Sequence, residues 1–249
     1  MSDVIDYEIH GKDMQLVEIE LDPGEGVRAE AGAMTFMEDG IVMQTGVSGG
    51  LFGGFKRMVS GESFFITTFL NTSNKISHVG FAAPYPGGII PIQLENHRGK
   101  FICQRDAYLC SANGIDVEVE FTKKLGAGFF GGEGFILQRL QGTGKAFIHA
   151  GGAIIKKELR TGEKIKVDTG CIVGFEDTVD YNIEFIGGFK NALFGKEGLF
   201  LASLTGPGIV YMQSLPISKL SERILASART NKGGNPDNLG GIVGGLFND

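Results

Sequence analysis

One tripeptide recurs three times in this chain: Leu51-Phe52-Gly53, Phe129-Phe130-Gly131 and Leu193-Phe194-Gly195. Internal repetition constrains a fold strongly, because each copy must adopt the same supersecondary unit and stack on its neighbour. From the tip onward the second and third copies keep a constant offset of 64 residues, as in Phe130 to Phe194, Glu133 to Glu197 and Gly142 to Gly206. Upstream, a small-residue step appears as Glu30-Ala31-Gly32-Ala33-Met34, Arg105-Asp106-Ala107-Tyr108-Leu109 and Asp168-Thr169-Gly170-Cys171-Ile172. After each tip comes an acidic residue and an apolar run: Glu62-Ser63-Phe64-Phe65, Glu133-Gly134-Phe135-Ile136 and Glu197-Gly198-Leu199-Phe200.

The runs between these landmarks alternate as strands do. Ile115, Val117, Val119 and Phe121 fall on one predicted face, with Asp116, Glu118 and Glu120 on the other. Val179, Tyr181, Ile183 and Phe185 repeat the pattern. Glycine accounts for 40 of the 249 residues, and its place between strand-like runs marks it as turn chemistry. The fold class is therefore all-β, with three tandem units at about 7–94, 95–159 and 160–216. The prolines of Pro84-Tyr85-Pro86-Gly87-Gly88-Ile89-Ile90-Pro91 argue against a central strand and for an ordered connection. Ile217, Leu220, Ile224 and Leu225 have helical spacing after Pro216, which predicts a helix over about 217–228. Residues 1–229 then form a single triplicated β domain, and 230–249 a flexible glycine-rich tail.

The net charge of −6 and the lack of any Lys/Arg run longer than two residues disfavour nucleic acid as a partner. Three cysteines, an odd number without a CxxC, fit a reducing cytoplasm. The four histidines lack metal-ligand spacing, and no nucleophile elbow is present, so no catalytic, cofactor-binding or metal-binding residue is assigned and no cofactor is expected. The glycine loop Gly49–Lys56 lacks the strand–loop–helix context of a phosphate cradle.

Two residue sets remain. Leu51, Phe52, Phe55, Lys56, Arg57, Met58, Phe129, Phe130, Leu193 and Phe194 make glycine-flanked aromatic tips, which either plug their units or form an interface. The basic and apolar mixture in the first tip suits a partner protein or an anionic membrane surface. Glu62, Glu133 and Glu197 either cap turns or converge as three carboxylates.

The run Gly162–Gly170, the loop Gly49–Arg57 with Ser60-Gly61-Glu62, and Gly206-Pro207-Gly208 resemble the bacterial branch of the "altered inheritance of mitochondria 24" family. The resemblance runs from about Tyr7 to Ile224. It implies a short double-stranded β-helix unit like that of the tryptophan RNA-binding attenuator protein, present three times. It implies no catalytic set, and its mitochondrial members are associated with inner-membrane organisation. Fold likeness alone does not carry RNA binding over, because equivalent positions of the three copies do not repeat a lysine or arginine. The expected function is a cytoplasmic, non-enzymatic binding or scaffold protein, homo-oligomeric, contacting a protein partner or membrane surface. The alternative is a small-ligand-binding protein with pockets between copies; RNA binding and an enzyme assembled from several copies rank below both.

Overall fold

The computed structural model describes residues 3–45, 66–123, 135–186 and 199–230. Within them the chain forms nineteen strands in four antiparallel sheets and one α-helix. The first strands are β1 (Asp6–His10), β2 (Leu16–Leu21), β3 (Gly26–Glu30), β4 (Met34–Met37), β5 (Ile41–Thr45), β6 (Ile66–Asn71) and β7 (Ser77–Ala82). Next come β8 (Gly87–Gln93), β9 (Lys100–Gln104), β10 (Tyr108–Ala112), β11 (Asp116–Lys123), β12 (Phe135–Gln141) and β13 (Lys145–Gly151). The last are β14 (Ile154–Leu159), β15 (Lys164–Asp168), β16 (Ile172–Glu176), β17 (Asp180–Ile186), β18 (Leu199–Thr205) and β19 (Gly208–Gln213), followed by α1 (Ile217–Thr230).

Period-two patterning puts these segments in sheets. In β2, Val17, Ile19 and Leu21 are fully buried while Leu16, Glu18 and Glu20 are half-buried. In β6 the buried face ends on Asn71, whose amide donates to the carbonyls of Leu21 and Lys75 at 2.8 Å each and accepts from the Ser73 amide at 3.0 Å. A buried amide so satisfied fixes the β6–β7 turn.

The sheet orders are β1-β2-β7-β4, β5-β6-β3-β10-β13-β8, β11-β12-β9-β16-β19-β14 and β15-β18-β17. Two trios of pairing recur along the chain. One is β2-β7-β4, β8-β13-β10 and β14-β19-β16; the other is β3-β6-β5, β9-β12-β11 and β15-β18-β17. The β3–β10 and β9–β16 pairs join a trio of each kind into the two six-stranded sheets. A 3-10 turn precedes β4, β10 and β16, at Ala31–Ala33, Arg105–Ala107 and Thr169–Cys171. A register shift follows each turn, between Met34 and Phe36, Tyr108 and Cys110, and Ile172 and Gly174.

Two apolar clusters fill the interior. The first packs Phe69 edge-on to Phe81 at 5.1 Å and includes Phe101 and Phe147. The second holds Phe135, Phe175, Leu204 and Val210.

Two local expectations change. Val119 turns outward, because a bulge between Val119 and Phe121 breaks the alternation of β11 and brings Glu120 to Arg139 at 2.6 Å. The proline-bearing joint contains strand β8, but at the edge of its sheet, with Pro91 opposite Phe147. An edge position tolerates the missing N–H.

Gly174 sits where β16 meets β9. A Cβ there would lie 2.6 Å from Cε1 of Phe101 and 2.7 Å from the Ile102 carbonyl oxygen. Backbone at that distance cannot yield without parting the strands. Gly174→Val is therefore expected to lower stability by about 1–3 kcal/mol. The loss should appear as a lower urea midpoint at unchanged slope.

Candidate functional site

The tip residues Leu51, Phe52, Phe55, Lys56, Arg57, Met58, Phe129, Phe130, Leu193 and Phe194 lie outside the described residues, as do Glu62, Glu133 and Glu197. The strands flanking them are described. Segments 46–65, 124–134 and 187–198 each join the two strands of one antiparallel pair: β5–β6, β11–β12 and β17–β18.

The strands on the N-terminal side of segment 46–65 carry four exposed apolar side chains. Phe36 and Met37 on β4 are 38% and 40% exposed, and Val42 and Met43 on β5 are 45% and 39% exposed. The short turn Glu38–Gly40 connects the two strands, which lie in different sheets, β4 beside β7 and β5 beside β6, before the chain enters segment 46–65. β4 is also the last strand of its sheet, and β15, with exposed Lys164 and Lys166, is the last of another. Sequence reasoning missed these exposed residues. The available signal was Phe36-Met37 at the positions held by Cys110-Ser111 and Gly174-Phe175 in the corresponding runs.

The histidines have distinct settings. His97 Nδ1 lies 2.7 Å from Glu176, whose other oxygen accepts from the Ile209 amide at 2.8 Å. His10 lies 2.9 Å from Glu18 at the surface. His78 reaches Glu38 at 3.2 Å and Glu20 at 3.4 Å, and its backbone N–H donates to Glu38. The Glu38 hydrogen bond holds the His78 pKa above its ordinary value. His149 is 2% exposed and lies edge-on to Tyr85 at 4.7 Å; burial pushes its pKa down to about 4.

Asp168 accepts from the Gly170 amide at 3.0 Å and faces Lys219 of α1 at 2.7 Å, an arrangement of capping and ion pairing. Burial raises the Cys103 and Cys110 thiols well above the range in which a thiolate forms, and it raises Cys171 as well. Among the described residues no group of three His, Cys, Asp or Glu is placed to hold a metal ion. No helix among them is long and apolar enough to cross a membrane.

A cleft of about 340 Å³ lies beside the N-terminal segment and is lined by Asp3, Ile5, Gln93, Glu95 and Lys145, among others. Its polar groups have internal partners. Asp3 accepts from the Gly26 amide at 2.9 Å, and Glu95 accepts from the Gly144 amide at 2.8 Å and from Gln93 at 2.5 Å. The Lys145 ammonium stands 4.9 Å over the Tyr7 ring.

These features define an antiparallel all-β protein whose titratable groups hold turns and strands together and whose exposed apolar residues include four on the consecutive strands β4 and β5. The chain belongs to the family described as Mitochondrial biogenesis AIM24, whose model matches residues 7–215. It is similar to an uncharacterized protein of Streptococcus pyogenes serotype M6, at 27% identity over 214 residues, covering 83% of this chain and 84% of that one. A crystal structure of another Streptococcus pyogenes protein has the same fold, with a TM-score of 0.72 at 24% identity, over 90% of this chain and 99% of that one.

His78 and His149 make opposite contributions to pH dependence. His78, with a raised folded pKa, stabilises the fold fully below its ordinary value of 6.5 and loses that contribution as pH rises through the folded value. His149 acts in reverse. Between pH 6.5 and about 4 the unfolded chain takes up a proton that the folded chain excludes, so stability falls with acidification by about 3 kcal/mol. Urea midpoints at pH 4.5 and 7.5 are expected to differ less for His149→Phe than for the parent. An unchanged difference would show that His149 is accessible to protons in the fold.

Proposed function

We propose that this chain is a non-enzymatic binding or scaffold protein built from three copies of one β unit and acting as a homo-oligomer. The recurrent trios, the three 3-10 turns and the three register shifts support the triplication. β8 pairs with β13 and β14 with β19, which favours unit limits near 86 and 152 in place of 94 and 159. Each unit is then a pair of facing trios, a short double-stranded β-helix of the attenuator-protein kind.

The observation that carries the functional reading is the set of four exposed apolar side chains, Phe36, Met37, Val42 and Met43, on the consecutive strands β4 and β5. Gathered apolar residues on a surface mark an interaction site more often than scattered ones do. In this reading β4 and β5 serve self-association, and the glycine-flanked tips serve a partner protein or membrane surface. Three unpaired cysteines suit a reducing cytoplasm as the place of action. The second reading, a small-ligand-binding protein, draws on the cleft beside Asp3 and Lys145. It ranks lower because the cleft's polar groups are already hydrogen-bonded within the chain.

Native mass spectrometry at micromolar concentration decides between the two. The scaffold reading predicts a discrete oligomer without added mass; a reproducible added mass per chain would favour the ligand reading. Phe52→Ser with Phe55→Ser is expected to reduce flotation with anionic vesicles while the far-ultraviolet circular dichroism stays unchanged. Equal flotation would remove the first tip from the interface.

A further inference from the structure

The geometry points to head-to-tail assembly of this chain, with β4 of one copy adding to β15 of the next in the register of the internal joins. This deepens the scaffold reading and rests on it and on its three-unit division.

At the internal joins, Cys110 faces Ala29, Ser111 faces Arg28 and Ala112 faces Val27; Gly174 faces Cys103, Phe175 faces Ile102 and Glu176 faces Phe101. Both sets occupy the same positions relative to the following or preceding 3-10 turn. Carried to the strands left over, that spacing sets Phe36 against Val167, Met37 against Lys166 and Glu38 against Ile165. Among the described residues, β4 has one ladder neighbour, β7, and β15 has one, β18.

Burial separates these strands from their counterparts. β10 is buried along its whole length, and β16 is buried except for Glu176. In β4, Thr35, Phe36 and Met37 are all exposed. Yet β4 already has the 3-10 turn before it and the register shift within it, so its outer edge is shaped as those of β10 and β16 are. A preformed edge loses little entropy on pairing. Each corresponding cross-strand pair also carries one aromatic ring. Phe147 lies opposite Cys110 and Tyr211 opposite Gly174, whereas Phe36 supplies the ring itself and lies over Gly80.

Charge agrees with this register. Extending it by one residue sets Asp39 against Lys164. The edge of β8 is blunted: it carries Pro91, and Gly87 at its start exchanges hydrogen bonds with Asp13 and Gln15. α1 meets β15 at its last residue, through Lys219 and Asp168. The complementary edge for β4 lies on the same kind of chain, so the occupant is a second copy. The contact is heterologous, giving a ring if the rotation closes and a filament if it does not.

Met37→Cys and Lys166→Cys test the join at two exposed positions that leave the core intact. Facing residues of an antiparallel pair have Cα atoms about 4.5–5.5 Å apart, within disulfide reach. In a Cys171→Ser background under mild oxidation, a mixture of the two single variants should form linked dimers, and neither variant alone should. The double variant should give a covalent ladder or closed oligomer that reduction dissolves. A linked monomer from the double variant would mean that the chain closes on itself and would overturn the proposal. Native mass spectrometry on the same samples separates the remaining failures. An oligomer without cross-links overturns the β4–β15 join and leaves the scaffold reading standing, whereas a monomer at every concentration overturns both.

Discussion

The antiparallel pairing of β3 with β10 and of β9 with β16 is the contact on which the architecture depends. Each join spans three residue pairs, yet without it the two six-stranded sheets would separate into trios. The two joins are reinforced by different chemistry. At the first, Arg28 donates to the Ile115 carbonyl at 2.7 Å, and the Tyr108 hydroxyl donates to the Arg28 carbonyl at 3.0 Å. At the second, His97 and Glu176 meet at 2.7 Å, and Gly174 permits the close approach of Phe101. A net hydrogen bond contributes only about 1 kcal/mol. Burial of Val27, Ala29, Phe101 and Cys103 at the join lines therefore adds the larger share.

Much of this order was legible from the residues. The small-residue steps fall on 3-10 turns, and the alternating runs fall on strands, because each obeys a local rule of spacing or backbone permissiveness. Where the alternation failed, at Val119, a bulge had intervened, and a bulge leaves no mark in a period-two pattern. Pro91 argued against a central strand and is indeed at an edge, but the strand character of Gly87–Gln93 came from its pairing with β13. The open edges of β4 and β15 were not legible, since openness depends on which strand pairs with which. Phe36 and Met37 read in isolation as ordinary core residues.

The candidate site was less legible than the fold. The aromatic tips and the acidic triplet fall outside the described residues, so the exposed apolar residues of β4 and β5 now carry the interaction argument. The titratable groups have clear structural work. His97, on the turn before β9, meets Glu176 at the end of β16, Asp168 caps a turn, and Glu95 closes the loop around Gly144. A chain that commits its ionisable groups to turns and joins, and keeps apolar residues outside on an open edge strand such as β4, is suited to assembly.

Hydrogen exchange of the backbone amides, followed as a function of protein concentration, tests that account most directly. Amides of β10 and β16 should be protected at every concentration, because their partners lie within the chain. Amides of Thr35–Met37 and Lys164–Val167 that point away from β7 and β18 should be protected in concentrated samples and exchange quickly on dilution. Fast exchange of these outward amides at all concentrations, or protection of them that persists in the monomer, would contradict it.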